Sequence, residues 1–132
     1  MNPDSFLDLA KKLNDGEIIL SEAKIRTAIS RAYYFIFLKI RQKLEKSGFD
    51  IVETSESHRQ ITDLLKKTQD TNAIKVALGL QSLRTKRNTA DYNMKDLGFE
   101  FPSQAAGLAI REASNLDRDF CQIDEETLKS NI

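Results

Sequence analysis

The side chains best suited to chemistry lie in the run Leu83-Arg84-Thr85-Lys86-Arg87-Asn88-Thr89-Ala90-Asp91-Tyr92. Just upstream, Ala73, Val76, Ala77 and Leu80 recur at helical spacing and define the buried side of a predicted helix. Carried forward two turns, the same angular sector holds Arg84, Arg87 and Asp91. Solvated charges belong on the opposite face, with Lys75, Thr85 and Lys86, so solvation alone does not ask for this arrangement. Arg87 and Asp91 stand four apart and can pair along the helix. An exposed pair of that kind contributes only about 0.3 to 0.5 kcal/mol, and a buried one is costly unless further bonds satisfy it.

His58 is the single histidine, hence the one side chain whose ordinary pKa suits acid-base work near neutral pH. It falls one turn before Ile61, on or beside the apolar face of a predicted third helix. Two readings stand: a partly buried histidine near a helix N-terminus, or a group with a catalytic role. One histidine and one cysteine, Cys121, build neither a zinc site nor an internal disulfide, so no metal or cofactor is expected. Cys121 reads as a small apolar residue. The carboxylates of Asp124-Glu125-Glu126 read as a solvated tail. No glycine-rich phosphate loop or serine nucleophile motif is present.

These residues need elements to position them, and the longest is a predicted helix from Ser21 to Lys46. Ile25, Ala28, Ile29, Ala32, Ile36 and Ile40 fall on one arc, widened by Tyr33, Phe35, Phe37 and Leu44. In its middle turns Tyr34 and Leu38 point away from that stripe, in the sector of Arg31, so the helix is apolar nearly all round. A helix of that kind is buried on more than one side, and the second face is expected to meet another subunit or partner. Tyr34, beside Arg31, could stack on a base. Ser30 could bond back to the Arg26 carbonyl.

Around this helix the pattern predicts a short helix to about Leu13, opened by Asn2-Pro3-Asp4 and ended by Asn14-Asp15-Gly16. Phe6, Leu9, Ala10 and Leu13 form its stripe. Ser21 and Ser47-Gly48 bound the long helix. Phe49 and Ile51 tuck a connection onto the core, and a third helix runs from Ser55 or Ser57 to about Lys67. The fourth spans about Asn72 to Asn93 through Gly79. That glycine costs about 1 kcal/mol against alanine, which a closely approaching helix would offset. After Asp96-Leu97-Gly98, Phe101-Pro102-Ser103 opens a last helix whose stripe of Ala105, Ala109 and Ala113, then Leu116, Phe120 and Ile123, lets helix axes come close. The expectation is an all-α, up-and-down bundle of four to five helices over residues 1–123, followed by a polar tail, 124–132, that frays.

With 132 residues the chain closes one core. Zero formal net charge excludes a domain-wide basic footprint, so any phosphate contact must be local. No apolar run reaches the roughly 18 residues a membrane span needs, and the acidic N-terminus lacks a signal pattern, so a cytoplasmic protein is expected.

Taken together, Arg26-Thr27-Ala28-Ile29-Ser30-Arg31-Ala32-Tyr33-Tyr34 and the later Arg87-Asn88-Thr89-Ala90-Asp91-Tyr92 resemble the HEPN superfamily of small helical domains. The resemblance spans nearly the whole chain. It implies a helical bundle, a homodimer with a cleft between subunits, and often a minimal nucleotidyltransferase as partner. Many such proteins are metal-independent endoribonucleases, used as toxins or in defence systems. With the motif placed on Arg87, Asn88, Asp91 and Tyr92, these are the candidate catalytic residues, and Arg84, Arg31, Tyr34, Ser30 and His58 are the candidate contacts to RNA or nucleotide. Nuclease members carry a histidine separated from the arginine by four to six residues. Here Tyr92 stands in that place with four residues between, and Met94 occupies the place where some toxin members keep a tyrosine two residues beyond the histidine. A tyrosine with its ordinary pKa near 10 is a poor base at neutral pH. A module that binds nucleotide, RNA or a partner without catalysis is therefore the second expectation.

Overall fold

The structure, a computed structural model, describes residues 3–14, 22–92 and 102–129. Six helices occupy the described residues: α1 Pro3–Asn14, α2 Glu22–Lys46, α3 Ser57–Lys67, α4 Thr71–Tyr92, α5 Pro102–Cys121 and α6 Glu125–Lys129. They form the expected all-α bundle, with α2 packed against α1, α4 and α5 and touching α3 more lightly. Among the described residues no helix is long and apolar enough to cross a membrane.

The arc read from sequence is the arc that is buried. Ile25, Ala28, Ile29, Ala32, Tyr33, Phe35, Ile36, Phe37, Ile40 and Leu44 are all inside. At the end of α2 the chain stops in a Schellman turn. Gly48 takes a left-handed φ of 101°, the Phe49 amide donates to the Leu44 carbonyl over 3.0 Å, and the Gly48 amide donates to Glu45 over 3.1 Å. The expected second face of α2 is also covered, but from within the chain. Tyr34 and Leu38 are half-buried, the Phe6 ring of α1 lies 6.2 Å from Tyr34, and the Arg31 guanidinium sits 5.1 Å over Phe6. α1 thus covers part of this face, at Tyr34 and Arg31.

After α2 the connection is tied down rather than loose. Ile51 is buried, and the Gln60 side-chain amide of α3 clamps the backbone on either side of it. Its Oε1 accepts from the Val52 amide over 2.8 Å, and its Nε2 donates to the Asp50 carbonyl over 2.8 Å. This clamp places the first turn of α3 against α2. The Asp70 carboxylate then caps α4 by accepting from the Ala73 amide over 3.0 Å.

Gly79 is where α4 meets α5, as its cost had suggested. A Cβ there would overlap the Leu116 side chain. The small residues Ala105, Ala106, Ala109 and Ala113 are buried along the same helix. Two expectations fail at the C-terminus. The tail does not simply fray, since α6 returns Leu128 to the core at 2% exposure, an anchor that one apolar residue among polar ones does not announce. Cys121 is exposed rather than an apolar filler. The expected caps Asn2 and Ser21, and the turns at Asp15-Gly16 and Asp96-Leu97-Gly98, lie outside the described residues.

Candidate phosphate-binding cleft

Arg87 sits on the inner side of α4, as its sector required, but carboxylates are not its described partners. Its guanidinium carbon lies 5.0 Å from the Tyr33 ring centroid and 5.3 Å from that of Tyr34. Nη1 donates to the Tyr34 hydroxyl over 2.7 Å, and Nη2 donates to the Asn88 side-chain oxygen over 3.2 Å. Its Nε is buried with no hydrogen-bond partner among the described residues. A guanidinium over two ring faces gains about 0.5 to 2 kcal/mol per cation–π contact. The aromatic run of α2 therefore does more than fill the core, because it holds a permanent cation in place.

One turn into the same region, the Tyr33 hydroxyl lies 2.7 Å from Nδ1 of His58. Tyr33 and His58 are 3% and 6% exposed, so neither exchanges that bond readily for water. Burial pushes the Tyr33 phenol up to about 12, against the opposing charges of Arg87 and Arg84. Burial pushes His58 down to about 4, with the charges of Arg84 and Arg87 acting in the same direction. At neutral pH the phenol keeps its proton and the imidazole is uncharged. We assign the Tyr33 hydroxyl as donor to Nδ1, since it has no second acceptor among the described residues, and this assignment puts the imidazole proton on Nε2.

These groups line a cleft of about 240 Å³ at the junction of α2, α3 and α4, with Tyr33, Tyr34 and Phe37 as floor, Thr54 and Ser55 at the rim, and His58, Arg84 and Arg87 as its polar side. A second space of about 430 Å³ adjoins it between α3 and α4, lined by Thr62, Asp63, Gln81, Thr85 and Asn88. His58 and Arg84 line both. The combination is an aromatic surface beside a positively charged, donor-rich one.

Arg84, Arg87, Asn88, Tyr34 and His58 are thus brought together from three helices. Arg31 does not join them and covers Phe6 instead, because its sector faces α1. Ser30 is half-buried, lines neither space, and makes no described bond to Arg26. Asp91 and Tyr92 end α4, but their side chains lie outside the described residues. Lys86, expected on the solvent face, pairs with Glu112 of α5, while Lys75 keeps the outer position and reaches Asp119 over 3.3 Å. Tyr33 was not expected in the site. The available signal was a tyrosine where the buried stripe would accept a phenylalanine.

No family model matches the chain, and no solved structure matches it significantly. Two proteins of Methanocaldococcus jannaschii do. Uncharacterized protein MJ0992 is 30% identical over 115 residues, covering 76% of this chain, and the chain spans 64% of its length. Uncharacterized protein MJ0628 is 32% identical over 132 residues, which cover 90% of this chain and 75% of the relative.

Proposed function

The chain belongs to one family with uncharacterized protein MJ0628 of Methanocaldococcus jannaschii, and from its cleft we propose an HEPN-type protein that acts on RNA. In this reading it is the metal-independent, endoribonuclease-like toxin of a toxin–antitoxin or defence module. It acts as a homodimer and is restrained by a minimal nucleotidyltransferase. The observation that carries the reading is Arg87, fixed over Tyr33 and Tyr34 at a cleft it shares with Arg84 and His58. A fixed guanidinium costs no reorganisation when charge develops on a phosphate, which is the condition for transition-state stabilisation. The reaction would be attack of a ribose 2′-oxygen on the adjacent phosphorus. The bond to the 5′-oxygen breaks, leaving a 2′,3′-cyclic phosphate and a 5′-hydroxyl that takes the proton.

A second reading, nucleotide or RNA binding without cleavage, is favoured by the proton on Nε2 of His58, which makes that nitrogen a donor rather than a base. Cleavage of a labelled single-stranded RNA panel in EDTA by the wild type and Arg87→Ala, with the intact mass of each protein recorded, separates the two. Loss of cleavage in Arg87→Ala with helix content retained supports the nuclease. Absence of cleavage by the unmodified wild type supports the binding module. Unfolding of Arg87→Ala at room temperature would make Arg87 a structural residue and end the assignment. An added nucleotide on the wild type calls for the assay to be repeated on protein freed of it.

A further inference from the structure

The two nitrogens of His58 have different fates. Nδ1 is held by Tyr33 at 2.7 Å, whereas Nε2 makes no hydrogen bond among the described residues although the residue is 6% exposed. Nε2 reaches the surface of the cleft, where an open donor can meet an acceptor supplied by a bound molecule. Arg84 lines the same two spaces and has no carboxylate partner among the described residues. The charges around the imidazole come from three helices: the phenols Tyr33 and Tyr34 on α2, Arg59 and Asp63 on α3, and Arg84 and Arg87 on α4. Asp63 and Arg59 approach each other at 3.9 Å on an exposed surface. What remains is an excess of positive charge with an uncharged N–H donor in its midst, beside an aromatic floor.

We infer that His58 Nε2 and the Arg84 guanidinium form a seat for one phosphodiester oxyanion of a nucleotide, whose base and sugar reach toward Tyr34. The seat belongs to the cleft proposed to act on RNA, but it stands whether or not the chain cuts RNA. It also predicts a coupling. An anion placed there offsets the arginine charges that disfavour imidazolium, so anion and proton assist each other. By linkage the protonated form must bind the anion more tightly by the same factor that the anion raises the His58 pKa.

Because the chain has one histidine, its imidazole proton signals can be followed by NMR without assignment. The probe is a thymidine dinucleotide, which lacks the 2′-hydroxyl needed for cleavage and keeps one phosphodiester charge between about pH 4 and pH 8. A saturating dinucleotide is expected to raise the titration midpoint of His58 by about one unit, a tenfold tighter grip on the protonated form. In Arg84→Gln the free midpoint should rise because a repelling charge is gone, and the dinucleotide-induced rise should shrink. Arg84→Lys, which keeps the charge, should retain part of it and serves if the glutamine variant does not fold. Inorganic sulfate is the second arm. A rise with both probes assigns the seat to any oxyanion of this shape, and a rise with the dinucleotide alone assigns it to a nucleotide. An unchanged midpoint in the presence of saturating dinucleotide, or an equal rise in Arg84→Gln, overturns the seat. Neither result depends on cleavage, so loss of the nuclease reading and loss of the seat are told apart.

Discussion

At the level of single residues, the burial of His58 beside Arg84 and Arg87 ties folding to pH. The folded imidazole titrates near 4 rather than at its ordinary 6.5, so as pH falls the unfolded chain takes up this proton first. Stability from the neutral imidazole is complete above about pH 6.5 and is lost as pH drops toward 4, by roughly 3 kcal/mol in all. Urea unfolding at neutral pH and near pH 4.5 should show a larger loss for the wild type than for His58→Gln. Equal losses would place the acid sensitivity in carboxylates. The inner position of Arg87 was legible because helical periodicity assigns a sector to every residue, whatever its chemistry. The partner of His58 was not. Tyr33 lies 25 positions away in the chain, and only the docking of α3 on α2 makes them neighbours.

Among the elements, the seam between α4 and α5 offers the sharpest test of packing. Alanine at position 79 gains about 1 kcal/mol of helix propensity, but its Cβ overlaps Leu116, which is 7% exposed and has little room to turn. Gly79→Ala is therefore expected to destabilise the wild type and to stabilise a Leu116→Ala background. The coupling between the two sites should be about 1 kcal/mol or more in a denaturation cycle. Additive effects would mean that the helices do not touch there. This contact could be argued from sequence because a glycine inside a strong helical pattern needs a reason. The role of α1 could not. An apolar second face on α2 requires a cover, but periodicity does not name it, and Phe6 on Tyr34 takes a place that another subunit would equally have filled. Lys86 was misplaced for a related reason, since its sector faces the flank of α5, where Glu112 waits.

For the molecule as a whole, zero net charge and a locally positive cleft are compatible because Arg84 and Arg87 gather at one junction while opposite charges pair elsewhere, as Lys39 does with Asp117 at 2.9 Å. Long-range steering of a polyanion is then weak, and the proposed recognition of RNA rests on a few close contacts. The proposed pairing of two copies is open to a direct test. Light scattering at micromolar concentration should return the mass of two chains, and the mass of one would remove the homodimer from the proposal. Here the exposed position of Cys121 has a practical bearing. A single thiol at the surface can join two chains covalently on air oxidation, through the end of α5 and irrespective of any natural interface. A pair that dissolves when reductant is added is therefore a product of sulfur chemistry. The association that matters to the cell is the one that persists with the thiol reduced.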